Sequence, residues 1–431
     1  MPYGVRHHTR RIALGGDAPR SFLPCWNLLA NEKLPWQSSE VVRYSERLHW
    51  SSSRNSLTLL IEAKRSAGEK LLDLTVSNPT EVLPDYPHVQ IANALCSIRD
   101  FTYRPDSFGL PAARAIIAGI YGKYGISLEA SQIALTASTS EAYGLLFKLL
   151  CNPGDEILVP VPCYPLFEYL AKLECVRIVP YRLSYDGSWF LDFADLEERI
   201  SPATRALVVI NPHNPTGSFL KQPEASRLIA LAQERQIPII SDEVFMEYAL
   251  DDDSSRIATL AGHESGLMFS LNGLSKMAGM PQMKLGWIAI SGSEQERSSV
   301  LPRLEVLLDA YLSVNTPIQL ALPELLRIGG ELCEALHLRT KENMHFLREF
   351  LRNAPLHSLG AEGGWSELIR LPGTSSEEAW VTKFIQQQNV IVQPGYFFDM
   401  PSEAYIAVSL IVPPDTFREG IRRVAQAVIQ C

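Results

Sequence analysis

Three polar residues follow three strongly apolar runs. Ala206-Leu-Val-Val-Ile210 leads into Asn211-Pro-His-Asn214-Pro-Thr-Gly217, Ile237-Pro-Ile-Ile240 into Ser241-Asp242-Glu243, and Leu267-Met-Phe-Ser-Leu271 into Asn272-Gly-Leu-Ser275-Lys276. Short apolar runs bounded by turn residues read as strands buried on both faces of a parallel sheet. Ligands in such sheets sit beyond the carboxyl ends of the strands. The sequence therefore brings an amide, a carboxylate and an amine to one crevice.

Each group has a chemical use. A desolvated amine is a better nucleophile and can condense with an aldehyde as a Schiff base. A carboxylate facing a pyridine nitrogen keeps that nitrogen protonated, so the ring accepts electrons. An amide donor stabilises a phenolate oxygen across the ring. Lys276, Asp242 and Asn214 would fill these roles around pyridoxal 5'-phosphate. Each also has a plain reading, as a loop lysine, a helix cap and a turn former before proline. The three in this order, with Asn214-Pro-Thr-Gly217 intact, favour the chemical reading.

The arrangement resembles the class I/II aminotransferases, the aspartate-aminotransferase-like branch of the fold type I pyridoxal phosphate enzymes. Its most specific parts are Asn211-Pro-His-Asn-Pro-Thr-Gly217, Ser241-Asp-Glu-Val244, and Ser275-Lys276 followed by Lys284-Leu-Gly-Trp287. The segments Leu74-Thr-Val-Ser-Asn-Pro79 and Glu362-Gly-Gly-Trp365 look like those of a bacterial subgroup. The resemblance runs from about Leu72 to the C-terminus.

Ser138-Thr139-Ser140-Glu141 follows a strand and opens the helical run Ala142–Leu150, with Ser138 as the cap and Glu141 three residues on. A helix start carries free N–H groups and partial positive charge, which suits a phosphate. The resemblance implies that this turn holds the cofactor phosphate through Ser138, Thr139 and Ser140. It implies the same for Ser275, for Lys284 in place of a usual arginine, and for Tyr103 reaching the phosphate of a neighbouring subunit. That last role would imply a homodimer with shared active sites. Tyr164, in Val161-Pro-Cys-Tyr-Pro165, takes the place of the aromatic that stacks on the pyridine ring.

Three positions depart from the family pattern. Phe245 replaces a tyrosine that donates to the cofactor phenolate, so the Schiff-base nitrogen should hold its proton more tightly. Gly273 replaces a serine three residues before the lysine. Ala407, in Tyr405-Ile-Ala-Val-Ser409, replaces the arginine that clamps a substrate carboxylate, a strong two-pronged contact. Arg370 on a neighbouring strand, with Ser77, Asn78 and Asn214, are the remaining candidates for substrate binding.

These residues need a framework. At 431 residues the chain suggests two or three domains. Strand signals at 133–135, 156–161, 176–180, 206–210, 237–241, 267–271 and 286–291 alternate with helices. They predict an α/β fold, a mainly parallel seven-stranded sheet between helices. Residues 91–305 form the expected large cofactor domain. A smaller α+β domain combines 56–90, with a helix over 57–66, and 306–431. It has a helix around 303–326 leading in, and strands near 364–371, 390–392 and 404–410. Residues 1–55 read as an irregular N-terminal arm.

Composition is that of a globular protein, 46% hydrophobic and 20% charged. A net charge of −9 argues against a nucleic-acid surface. No apolar run reaches the ~18 residues of a membrane span, and no apolar segment follows the basic start as in a secretory signal. Seven cysteines, at 25, 96, 151, 163, 175, 333 and 431, show no metal-ligand spacing and read as reduced packing residues of a cytoplasmic protein. The function expected is transfer of an amino group from an amino acid or amine to an oxo acid. The two alternatives are a pyridoxal phosphate-dependent lyase, cyclase or oxidase, and a non-catalytic sensor.

Overall fold

The computed structural model describes residues 44–48, 55–402 and 404–430. Apart from a short 3-10 turn at Glu46–Leu48 and Asn55, the expected N-terminal arm lies outside them. Residues from Asn55 onward pack as one compact unit.

Helix α1 (Ser56–Ser66), capped by Asn55, leads to β1 (Leu72–Asp73), α2 (Pro79–Val82), α3 (His88–Cys96) and α4 (Pro111–Ile120). Then strands and helices alternate: β2 (Ile133–Thr136), α5 (Thr139–Leu150), β3 (Glu156–Val161), α6 (Leu166–Leu173), β4 (Arg177–Tyr185), β5 (Trp189–Leu191), α7 (Phe193–Arg199), β6 (Thr204–Ile210), α8 (Gln222–Arg235), β7 (Ile239–Asp242), β8 (Met268–Gly273), α9 (Leu274–Met277) and β9 (Gly286–Ser291). Helices α10 (Glu294–Tyr311) and α11 (Thr316–Leu351) precede β10 (His357–Ser358), β11 (Ser366–Arg370), α12 (Glu377–Gln388), β12 (Val390–Ile391), β13 (Gln393–Pro394), β14 (Tyr405–Ser409) and α13 (Pro414–Ile429).

The large sheet has the order β2-β9-β8-β7-β6-β3-β4-β5. Strands β8, β7, β6, β3 and β4 run parallel, while β9 and β5 run antiparallel to their neighbours. All seven expected strands are present. The eighth, β5, pairs with the far end of β4 through Leu183 and Leu191. Alternation divides each central strand between two cores. Ala206, Val208 and Ile210 pack with Ile157, Ile240 and Phe269 on one face, and Leu207 and Val209 with Leu158, Leu228 and Ile239 on the other. Burial on both faces is why these strands read as unbroken apolar runs.

The continuous helix expected around 303–326 is two helices. Leu312 adopts a left-handed conformation (φ 44°) and ends α10, and the Asn315 side chain accepts from the Ile318 N–H to begin α11. A four-stranded antiparallel sheet, β10-β11-β14-β13, and the parallel pair β1-β12 pack with α1, α12 and α13 around a separate core of Leu74, Trp380, Phe384, Ile406 and Phe417.

Candidate active site

The chemistry sits where β6 and β7 end level and β8 runs on two residues further. Ile210, Asp242 and Leu271 are register partners across the three strands, and the Asn211 N–H donates to the Asp242 carbonyl at 2.8 Å. Asp242 is the last residue of β7, Asn214 lies four residues beyond β6, and Lys276 lies on the single turn α9 after β8. The sequence-predicted amide, acid and amine therefore all lie beyond the same sheet edge.

Lys276 is half-buried, with its Nζ 4.8 Å from the Trp365 ring centre and 5.8 Å from that of Phe245. Burial pushes its amine down to about 8, against the neighbouring Asp242 carboxylate, which acts to raise it. The Tyr248 hydroxyl donates to the Lys276 carbonyl at 2.7 Å, and the Phe245, Tyr248 and Trp365 rings meet edge to face. The side chain of Phe245 supplies no hydrogen-bond donor here.

Burial lifts the Asp242 carboxyl to about 6, and three groups pull it back toward the charged form. The Val244 N–H donates to Oδ1 at 3.2 Å, the Tyr143 hydroxyl donates to Oδ2 at 3.0 Å, and Lys276 attracts it. Beneath it, Glu243 is fully buried and accepts from Ser241, Thr259, Ser270 and the Leu260 N–H, so it anchors the strand end. Sequence reasoning missed Tyr143, which lies 99 residues away along the chain.

The Asn214 Oδ1 accepts from Ser366 Oγ at 3.2 Å, which leaves Nδ2 without a protein acceptor among the described residues. Gly217 fixes this loop. Its φ is +70°, and a Cβ there would lie 2.4 Å from the Ala361 Cβ. The Ala361–Trp365 turn is held in addition by Glu362, which pairs with Lys221 and Arg256. Trp365, quoted in the sequence motif without a role, thereby forms one wall beside the lysine.

Ser138 caps the twelve-residue α5, its Oγ accepting from the Glu141 N–H at 3.1 Å. Glu141 reaches the Ala137 N–H rather than that of Ser138, so the box is shifted by one residue. The Thr139 and Ser140 hydroxyls make no hydrogen bond among the described residues, and Ser275 stands half-buried one residue before Lys276. Gly273 and Gly286 face each other across β8 and β9. A Cβ on Gly273 would come within 3.0 Å of the Gly286 Cα, and one on Gly286 within 3.1 Å of the Ser138 carbonyl carbon. The helix start thus lies against β9, the strand paired with β8. Lys284, two residues before Gly286, is exposed, left-handed (φ 50°) and in no ion pair among the described residues. Tyr164 is half-buried beyond β3, and Tyr103 is 70% exposed.

The substrate candidates divide. Ser77 lies with its Oγ 3.5 Å from Ser409 Oγ, and Ser409 is the register partner of Ser366. Asn78 spends its side chain on capping α2, accepting from Thr80 and donating to Glu81. Arg370 stands at the other end of β11 from Ser366, roughly 13 Å along the strand at about 3.3 Å per residue. It is exposed and acts on Tyr185. Ala407 is buried among apolar residues, so hydroxyls rather than a guanidinium mark the end of β14.

These residues fit pyridoxal phosphate: a depressed amine, a carboxylate, a free amide N–H, and a capped helix start with two unengaged hydroxyls. A mainly parallel sheet carrying this set defines a fold type I pyridoxal phosphate enzyme. The family described as Aminotransferase class I and II matches residues 69–424. The chain belongs to that family, whose members depend on pyridoxal phosphate. It is 31% identical over 268 residues to the glutamate-pyruvate aminotransferase AlaA of Escherichia coli (strain K12). That match spans 61% of this chain and 66% of the relative, a little under two thirds of its length. The tyrosine aminotransferase of Homo sapiens is 28% identical over 379 residues, covering 85% of this chain and 82% of its own. Among solved structures, an alanine aminotransferase from Pyrococcus furiosus shares the fold with a TM-score of 0.80 at 24% identity, covering 90% of this chain and all of the other.

Proposed function

We propose that the protein transfers an amino group from an amino acid or amine to an oxo acid, with Lys276 as the covalent attachment point of pyridoxal phosphate. The observation that carries this is the half-buried, depressed Lys276 amine beside Asp242 at one sheet edge. When bound, the cofactor supplies an aldehyde carbon and an electron-accepting ring. Asp242 would hold a proton on the ring nitrogen, and Asn214 Nδ2 would donate to the ring oxygen. Ser138, Thr139, Ser140, Ser275 and Lys284 would hold the phosphate, and Tyr164 would stack on the ring. Once an incoming amine has displaced it from that attachment, the Lys276 amine, its proton loosened by burial, would accept the proton leaving the substrate Cα. The aromatic corner of Phe245 and Trp365 keeps water from that amine.

Relatives named for glutamate, alanine and tyrosine suggest amino acids as donors, and the one named for pyruvate suggests an oxo acid as acceptor. A substrate carboxylate would meet Asn214 and the hydroxyls of Ser77, Ser366 and Ser409 in place of an arginine. Tyr103, exposed beside Phe101, supports a homodimer in which each subunit completes the other's phosphate site. Five described cysteines are free, in keeping with a reducing cytoplasm, and no helix among the described residues is long and apolar enough to cross a membrane. Residues 91–305 serve as the cofactor domain, and 56–90 with 306–431 as the smaller one.

The test is a half-reaction screen. Holoprotein mixed with alanine, glutamate, tyrosine or simple amines should convert its cofactor to pyridoxamine phosphate with at least one donor. Return of unchanged pyridoxal phosphate with every donor would contradict the reading.

A further inference from the structure

Helix α5 presents two different groups to the site. Its start forms the phosphate cradle, and one turn further on Tyr143 reaches Asp242. The Tyr143 ring is buried and clamped by Phe167, edge to face at 4.8 Å, and by Phe147 at 5.9 Å. Among the described residues its hydroxyl has one hydrogen-bond partner, Asp242 Oδ2 at 3.0 Å. A phenol's hydrogen bond to a carboxyl group is stronger when that group is ionised, so the contact favours the charged form.

We propose that Tyr143 is a positioning residue for the cofactor: its hydroxyl orients Asp242 and holds it as a carboxylate, which keeps the acid able to pair with a protonated ring nitrogen. This rests on the proposed role of Asp242. The titratable groups around that carboxylate are Tyr143 from α5, Lys276 from α9, Cys163 after β3 and Glu243 on its own segment. Of these, Lys276 alone carries positive charge, and it becomes the cofactor attachment. Among the described residues Tyr143 is then the one side-chain donor left to Asp242, the Val244 N–H being its backbone counterpart.

The experiment measures binding of pyridoxamine phosphate, which forms no bond to Lys276, as a function of pH. It uses apoprotein of the wild type, Tyr143→Phe, Tyr143→Leu and Asp242→Asn. Wild-type affinity should fall on the acid side as Asp242 takes up a proton. In both Tyr143 variants that acid limb should move to higher pH by about one to two units, the equivalent of losing one hydrogen bond to a charged group. The leucine variant also removes the ring, so the same shift in both assigns it to the hydroxyl. Asp242→Asn should lose the limb altogether. A limb lost in Asp242→Asn but unmoved in both Tyr143 variants would overturn this proposal alone. A limb that persists in Asp242→Asn would overturn the role of Asp242 and the proposal with it.

Discussion

The Lys276 amine lies 4.8 Å from the centre of the Trp365 ring, in a corner closed on a second side by Phe245. An ammonium there has exchanged water for ring faces, and attraction to Asp242 does not fully offset the loss. The folded state therefore binds this proton less tightly than the unfolded chain. Its penalty is fully present below pH 8 and is relieved as pH rises from about 8 toward the ordinary 10.5. Apoprotein stability should accordingly gain about 2 kcal/mol over that range, allowing for the partial exposure of the side chain. Denaturant melts of wild type and Lys276→Met check it: the difference between them should climb in favour of wild type above pH 8. A constant difference would show that the amine is not desolvated.

Phe245 predicts a spectroscopic effect. With no phenol at this position, the linkage at Lys276 should keep its proton to a high pH. Phe245→Tyr should lower the pH midpoint of the holoprotein's visible absorbance by about one unit, the worth of one added donor. A visible-band titration of both proteins decides this, and equal midpoints would sever Phe245 from the cofactor.

Gly273 is a matter of space. Its backbone is extended, so any residue could adopt it, but a Cβ would press within 3.0 Å on the Gly286 Cα and the Leu285 carbonyl. Backbone cannot yield as a side-chain end can. Gly273→Ser, although it adds a hydroxyl near the expected phosphate site, should destabilise the protein by roughly 1–3 kcal/mol through overpacking. Thermal denaturation of the two apoproteins measures it, and an unchanged midpoint would refute the packing argument.

The amide, acid and amine were legible because each follows a strand buried on both faces, and such strands announce themselves as apolar runs. The start of α5 was legible from the Ser138 cap. What stayed hidden depended on distant partners or on backbone shape. Tyr143 looks like any core residue of α5 until the fold brings Asp242 to it. Strand β5 has three residues and alternating burial, too short for a periodicity signal. The break at Leu312 lacks the glycine that usually marks a left-handed helix end. Arg370 shares a strand with Ser366, but strand length carries it to the far end.

The central claim is that the Lys276 amine carries the cofactor. Protein reconstituted with pyridoxal phosphate, reduced with borohydride and digested should yield one peptide bearing the phosphopyridoxyl mass, with the label on Lys276. Labelling of another lysine, or none, would contradict the account.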